Sequence, residues 1–446
     1  MSSILIKNGL IATFGTDNKI INDHAIYIEE GVIKHIIPQN LITDIYKYAK
    51  VIDAKGKLVM PGMINTHMHL YSTFARGSAL KGAPPRNFAE ILEKLWWRLD
   101  KSLSAEDLHY SALIPLIGAI KCGTTTLIDH HASPHNVKNS LDIISKAYNT
   151  LGLRGVLAYE VSDRDGIEIA NEGIEENIRF IEKHRKDDMI KGMFGLHAMF
   201  TLSDRTLSFV SEEVERLNTG VHIHVAEDRY DKDYNIAHYK LSPVQRLDKY
   251  GLAKPNSIFI HCIHIDEQDQ NILKNTDTMV VHNPQSNMNN AVGCCDLISI
   301  MEKGIMTGLG TDGMTFNMFE ELGIANVIHK HVRQTPNTGW GEVETLITKN
   351  NPEIASRIFG KKIGVIEPEA AGDVIILDYD PPTPLNSSNF WGHMLFGITK
   401  SKVLTTIVNG QVLMEDGNLT IDGIDEADIN KKSREIAEKF WERFEN

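Results

Sequence analysis

Between residues ~58 and ~367 the chain repeats one pattern eight times: a short apolar run, then a stretch with helical periodicity. The runs are Val59–Asn65, Thr124–His130, Leu153–Glu160, Gly192–His197, Val221–Ala226, Ser257–Cys262, Thr278–His282 and Ile305–Thr311. Between them, Leu141, Ile143, Ile144, Ala147, Tyr148 and Leu151 form one helical stripe, and Ile174, Ile178 and Ile181 form another. Strands alternating with helices must run parallel. Eight such units over ~310 residues predict an α/β fold, a (β/α)8 TIM barrel with one or two long loops. The longest follows the first strand. Phe88, Ile91, Leu92, Leu95, Trp96 and Leu99 predict a helix there, either a lid or substrate wall over the active face, or a packed extra helix.

The flanks read differently. Ile4–Ala12 and Ala25–Ile33 each hold two apolar runs around a turn dipeptide, which predicts hairpins. Towards the C-terminal end Asp373–Leu377 reads as one strand and Thr405–Leu413 as another hairpin. These segments predict one small β-sandwich domain built from both termini, with the barrel inserted into it. The expected organisation is residues 1–57 and 368–424 for the small domain, 58–367 for the barrel and 425–446 for a terminal helix. In that helix Ile436, Ala437, Phe440, Trp441 and Phe444 make one apolar stripe, read as a packing face.

Composition removes several function classes. The 446 residues carry 59 acids against 46 bases, a formal net charge of −13. That balance disfavours nucleic acid and anionic membranes in the absence of a basic patch, and the short Lys/Arg groups are interrupted by acids. Cys122, Cys262, Cys294 and Cys295 are too few for a disulfide framework and lack Cys-x-x-Cys spacing. With no signal-peptide core at the N-terminus and no apolar stretch of spanning length, a cytoplasmic enzyme without a membrane partner is expected. A homodimer is an admissible assembly. The anomaly is 19 histidines. His184, His329 and His331 are read as surface residues, but many others fall at the ends of apolar runs.

Barrels of this type collect function at the C-terminal ends of their strands. The first strand leads into His67-Met68-His69, and alternate residues share a face, so one ion can meet both imidazoles. The fifth gives His222-Ile223-His224 and then Glu227, a carboxylate placed beside an ion and free to move protons. The sixth ends at His261, and the eighth leads to Asp312, a carboxylate able to complete a histidine site. Each alone has an ordinary structural explanation. Their coincidence in one register predicts a site for a single divalent metal ion. Zinc is the default for imidazole donors, and iron(II) also accepts imidazole and carboxylate.

These motifs resemble the amidohydrolase superfamily. The resemblance rests on Pro61-Gly62-Met63-Ile64-Asn65-Thr66-His67-Met68-His69, Gly123-Thr124-Thr125-Thr126, His224-x-x-Glu227, His261-Cys262, His282-Asn283-Pro284-x-Ser286-Asn287 and Gly310-Thr311-Asp312-Gly313. Within the superfamily the chain is similar to the aminohydrolases that include guanine, 8-oxoguanine and S-adenosylhomocysteine deaminases and triazine hydrolases. The segments Leu70–Gly77, Asp129–Pro134 and Asn283–Asn290 further resemble the SsnA-type aminohydrolases.

The resemblance implies His67, His69, His224 and Asp312 as metal ligands. It implies His261 as the group that orients the attacking water, Asp312 as its proton acceptor and Glu227 as the proton shuttle. The fourth strand ends in His197, and Lys191 sits at its other end, so the bridging lysine of binuclear relatives is missing and one metal is expected. His197, Arg76, His131 and Gln285 are the candidate contacts to a small heterocyclic substrate, with His282-Asn283 supporting Asp312. The expected reaction is deamination of an amino-substituted heterocycle, with purine-like bases the leading class. Opening of a cyclic amide or ureide, or loss of another leaving group, is the competing chemistry.

Overall fold

The computed structural model describes residues 3–78, 80 and 82–445. Eight strands form its centre: β1 (Met63–Met68), β2 (Thr124–His131), β3 (Arg154–Tyr159), β4 (Phe194–Ala198), β5 (Val221–Val225), β6 (Ile258–His261), β7 (Met279–His282) and β8 (Thr307–Leu309). They pair in chain order, all parallel, in two sheets. One contains β1, β2 and β3, and the other runs from β4 to β8. Parallel bridges join the two at both seams, Met68 to Asp312 and Val161 to Leu196.

Alternation along the strands builds the two sides. Ile64, Ile128, Val156, Ala158, Ile258, Ile260, Met279 and Val281 form one apolar cluster. Their neighbours Leu127, Leu157, Ile223, Phe259, Val280 and Leu309 pack instead with helix residues such as Leu141, Ile144, Ile174 and Leu207. Both faces of each strand are therefore buried, as a parallel sheet between helices requires. The helices carry their own local signals. Ser104 and Asp107 form a capping box at the start of Ala105–Lys121, and Ser140–Leu151 stops on Gly152 at φ 75°.

The terminal segments make two further sheets, of four and seven strands. The four-stranded sheet holds Ser3–Lys7, His24–Glu29, Val32–Pro38 and Lys50–Asp53, and the seven-stranded sheet combines strands from both ends of the chain. Ile4, Ile6, Ile26 and Ile52 of the first share an apolar cluster with Ile11, Val59, Val374, Ile376 and Ile407 of the second.

Three expectations need correction. The run Val59–Asn65 is not one strand. Leu58–Pro61 pairs with Val374–Leu377 in the seven-stranded sheet, and β1 begins after Gly62. A side chain at Gly62 would collide with Thr125, so the chain passes there from one sheet to the next through a gap only glycine fits. Next, Ile4–Ala12 is not a hairpin. Ser3–Lys7 and Leu10–Ala12 lie in different sheets. Hairpins turn instead at Glu30-Gly31 and Asn409-Gly410, with φ of 51° and 77°, and of 50° and 70°. Both central residues must be left-handed for such a turn. Gly9 is not, and instead lets the backbone approach Val59. Finally, His184 and His329 are buried rather than superficial, and His329 meets His282 at 3.2 Å.

One ion pair ties the β1–β3 sheet to the terminal strands. Arg154 of β3 reaches Asp373 at 3.0 Å, both side chains fully buried. Asp373 also accepts from the Asn409 amide at 2.7 Å. Removing one partner strands the other charge, a loss of about 3–5 kcal/mol. Asp373→Asn should therefore lower the urea midpoint well below wild type, and an unchanged midpoint would contradict this assignment.

Candidate active site

The inward register of the strands continues above the apolar layer as a polar one. Ile128 is followed two residues on by His130, and Val156 and Ala158 are followed by Glu160. His222 and His224 occupy the same face of β5. At β6 alternation fails, since Ile258 and Ile260 already take the inner face. His261 has φ 71°, and this left-handed turn re-aims its imidazole toward the cluster. Ala226, Cys262 and Asp312, at φ 47°, 48° and 52°, are further left-handed residues at strand ends. Such conformations cost about 1–3 kcal/mol each and persist where the surroundings enforce them.

His67, His69, His224 and Asp312 each place one donor atom within 4.8 Å of the others. Asp312 Oδ1 is 3.0 Å from His69 Nε2 and 3.6 Å from His67 Nε2, and the Nε2 atoms of His69 and His224 are 3.2 Å apart. The opposite ring nitrogens are all engaged. His69 Nδ1 meets the His130 carbonyl at 2.6 Å, His224 Nδ1 meets the His197 carbonyl at 2.8 Å, and His67 Nδ1 meets His222 Nε2 at 3.2 Å. Fixing Nδ1 in this way turns Nε2 inward, the orientation a metal-binding imidazole needs. His67 Nε2 is buried without a hydrogen-bond partner among the described residues. Three nitrogens and a carboxylate suit one divalent ion.

Glu227, His261 and Asp312 form an adjoining group. His261 Nε2 lies 3.4 Å from Glu227 Oε2 and 3.9 Å from Asp312 Oδ2. Asn287 donates to His261 Nδ1 at 2.8 Å, which leaves the ring proton on Nε2, facing the cluster. Ser286 donates to Asp312 Oδ2, and Asn290 to Glu227 Oε1 at 3.5 Å. The supports of this corner are thus Ser286, Asn287 and Asn290. Of the pair expected to support Asp312, His282 pairs with His329 and Asn283 packs against Gly310.

Burial pulls His67 down to about 4. Burial also pulls on His69, but the hydrogen bond and charge of Asp312 outweigh it and lift its pKa to about 9. Asp312 feels burial in the opposite sense, and the two histidines hold it well below the usual carboxylate range. One proton therefore resides on this group at neutral pH, and the shorter contact to Asp312 places it on His69. Burial, with the charge of Asp312 added, holds Glu227 well above its usual range.

An open cleft of about 830 Å³ lies over the cluster. His69, Glu160, His197, His224, Glu227 and Asp312 line its floor, and Phe88, Leu92, Trp96, Trp97, Phe200 and Tyr230 line its wall. The segment after β1 is a wall, built from α (Phe88–Ile91), π (Leu92–Trp96) and α (Trp97–Ser102) turns. His197 is in the cleft, with Nδ1 2.8 Å from Thr201 Oγ1. The other three candidate contacts are not among the residues lining it. Arg76 is exposed and lines an adjoining depression that shares His69, Trp96, Asp312, Gly313 and Met314 with the cleft. His131 is buried against Ser133 at 2.9 Å, and the Gln285 amide donates to Glu320 at 3.3 Å. In their place the cleft holds Glu160, Arg164 and Asp100, with Arg164 paired to Asp100 and stacked 5.3 Å from the Trp97 ring centre.

A model of the amidohydrolase family matches residues 58–413. The chain belongs to the amidohydrolase family. It is 31% identical over 438 residues to a 5-methylthioadenosine/S-adenosylhomocysteine deaminase of Thermoanaerobacter pseudethanolicus, covering 97% of this chain and 98% of that one. It is 31% identical over 453 residues to a 5'-deoxyadenosine deaminase of Methanosarcina acetivorans, covering 99% of each. A zinc-bound adenosine deaminase from Xanthomonas campestris superposes with a TM-score of 0.85 at 19% identity, covering 98% of both chains, a likeness of fold. In this amidohydrolase no helix among the described residues is long and apolar enough to cross a membrane.

A proton held on His69 must leave when a metal takes its Nε2. Because that proton is bound below a pKa of about 9, uptake of one zinc ion at pH 7.5 should release about one proton. Calorimetric titration in buffers of different ionisation enthalpy measures it, and uptake without proton release would refute the assignment. In the metal-free protein the raised pKa also stabilises the fold below about 6.5. That contribution should fade as pH rises through about 9.

Proposed function

We propose that this amidohydrolase is a metal-dependent aminohydrolase that deaminates an amino-substituted heterocycle, a purine or related base. The observation that carries the reading is the proximity of two groups: a one-metal cluster, and the Glu227–His261 pair beside it. The cleft is walled by aromatic rings suited to a flat heterocycle. The names of the relatives make adenine nucleosides the first substrates to try.

We assign His67, His69, His224 and Asp312 as ligands of one divalent ion, zinc by default and iron(II) by the same donor chemistry. When bound, the ion lowers the pKa of a water and polarises the site. His261 directs its Nε2 hydrogen at the attacking oxygen and fixes its line of approach. Asp312 Oδ2, already accepting from Ser286, takes the first proton. Glu227 enters the reaction in its acid form and protonates the ring nitrogen next to the attacked carbon. The oxygen–carbon bond forms as that nitrogen gains its proton. The hydroxyl of the intermediate then returns its proton to Glu227 as it becomes a carbonyl, and Glu227 passes that proton to the departing amine. The exocyclic carbon–nitrogen bond breaks to release ammonia, and the proton held by Asp312 restores Glu227 to its acid form. His197 holds the heterocycle from the other side of the cleft.

We also read β1–β8 as one closed (β/α)8 barrel, a reading supported by the bridges at both seams, and the terminal sheets as a β-sandwich around their shared isoleucine cluster. The boundary then falls at Gly62 rather than before residue 58. The remaining boundaries stay near 368 and 425. The four cysteines are unpaired, which suits a reducing compartment.

Glu227→Gln should retain its metal and lose about 10²–10⁴-fold in turnover. The test is metal analysis together with ammonia release and ring absorbance, using 5'-deoxyadenosine, methylthioadenosine, guanine and 8-oxoguanine. Ammonia from an intact ring supports deamination, ring loss without ammonia points to amide hydrolysis, and full activity in the variant would refute the shuttle.

A further inference from the structure

Glu160 is absent from the proposed chemistry, yet it is buried in the floor of the cleft. Three histidines lead from it back to the metal cluster. His67 Nδ1 is 3.2 Å from His222 Nε2, His222 Nδ1 is 3.0 Å from His130 Nδ1, and His130 Nε2 is 3.4 Å from Glu160 Oε2. All four side chains are buried.

The chemistry of neutral imidazole fixes the direction of this chain, because each ring has one donor and one acceptor nitrogen. If His67 turns the lone pair of Nε2 to a metal, its hydrogen is on Nδ1 and is donated to His222 Nε2. His222 must then carry its hydrogen on Nδ1 and donate to His130 Nδ1. His130 in turn carries its hydrogen on Nε2, a buried atom without a hydrogen-bond partner among the described residues that lies 3.4 Å from Glu160 Oε2. Only a terminal acceptor closes the series, and Glu160 is the carboxylate at that position.

We propose that Glu160 is a positioning residue that acts through His130 and His222 to set the tautomer and ring orientation of His67. The relay extends over two imidazoles the carboxylate–histidine–metal arrangement that raises ligand basicity. The proposal rests on the metal-ligand assignment above. It explains two features that assignment leaves aside. One is a second pair of histidines packed directly behind the ligands. The other is a carboxylate at the end of β3 whose nearer contacts lead to His130 and whose other oxygen is 3.8 Å from His197.

The test uses the full-length protein and two readouts independent of turnover: zinc affinity by chelator competition, and the visible spectrum of the cobalt(II)-substituted form. Glu160→Ala should weaken zinc binding about 10–100-fold and shift the cobalt bands. Glu160→Gln keeps an acceptor for His130 and should recover part of both, and it serves alone if the alanine variant does not fold. Combining Glu160→Ala with His222→Leu should cost little more than the worse single change, because both cut one relay. Wild-type affinity and spectrum in Glu160→Ala, or strictly additive losses in the double variant, would overturn the relay. A wild-type protein that takes up no zinc would instead overturn the ligand assignment beneath it.

Discussion

The geometry of the site depends on the seam where the first strand meets the last. The amides of Thr311 and Asp312 donate to the His67 carbonyl at 2.9 and 3.0 Å, and the His69 amide donates to the Asp312 carbonyl at 3.3 Å. Backbone contacts of this kind leave the three side chains little freedom. Asn65 adds to the seam from within β1, donating to Thr311 Oγ1 at 2.7 Å. Two imidazoles and a carboxylate far apart in sequence are thereby held together before any ligand arrives. Preorganisation matters because a buried carboxylate left unpaired would shift its pKa and neutralise. Here Ser286 and the two histidines keep Asp312 ionised.

The same logic accounts for the unequal treatment of the acids around the cleft. Asp312 is surrounded by donors and stays charged. Glu227 has a single weak donor in Asn290 and a negative neighbour, so the protonated form is favoured. Two carboxylates separated in this way can divide the roles of base and acid. Glu160, pushed up to about 7 by burial and pulled back by Arg164, lies between those extremes. Left-handed residues at Ala226, His261 and Asp312 are part of this construction, since they turn side chains out of the strand register and into one small volume.

How much of this was legible in the sequence follows from range. The β/α alternation is a local signal, and it located the strands that carry His67, His224, His261 and Asp312. The split at Gly62 was not legible, because Leu58–Pro61 and β1 are equally apolar and only pairing with Val374–Leu377 separates them. The substrate side was least legible. Arg76, His131 and Gln285 were chosen for polarity near a motif, whereas the structure places Arg76 on the depression adjoining the cleft and sets His131 against Ser133 and Gln285 against Glu320. Glu160 carried a usable signal: it closes the third apolar run, at the C-terminal end where His67, His224 and His261 sit on theirs. Arg164 and Asp100 carried none, since they pair across 64 residues of chain.

The cleft wall also depends on distant packing. The π turn Leu92–Trp96 offsets the two flanking α segments, and Phe88, Leu92, Trp96, Trp97 and Asp100 all line the cleft. Behind this wall, Ile436, Phe440 and Phe444 of the terminal helix Glu426–Glu445 pack with Leu99, Leu103, Tyr71 and Phe74. Arg98 donates to the Phe444 carbonyl at 2.7 Å, and Trp441 to the Phe74 carbonyl at 2.9 Å. Phe74 lies in the 3₁₀ turn Leu70–Ala75 that leaves His69. One helix thus braces both the aromatic wall and the exit from the first ligand strand. The aromatic wall and the turn that follows His69 therefore share one packing partner.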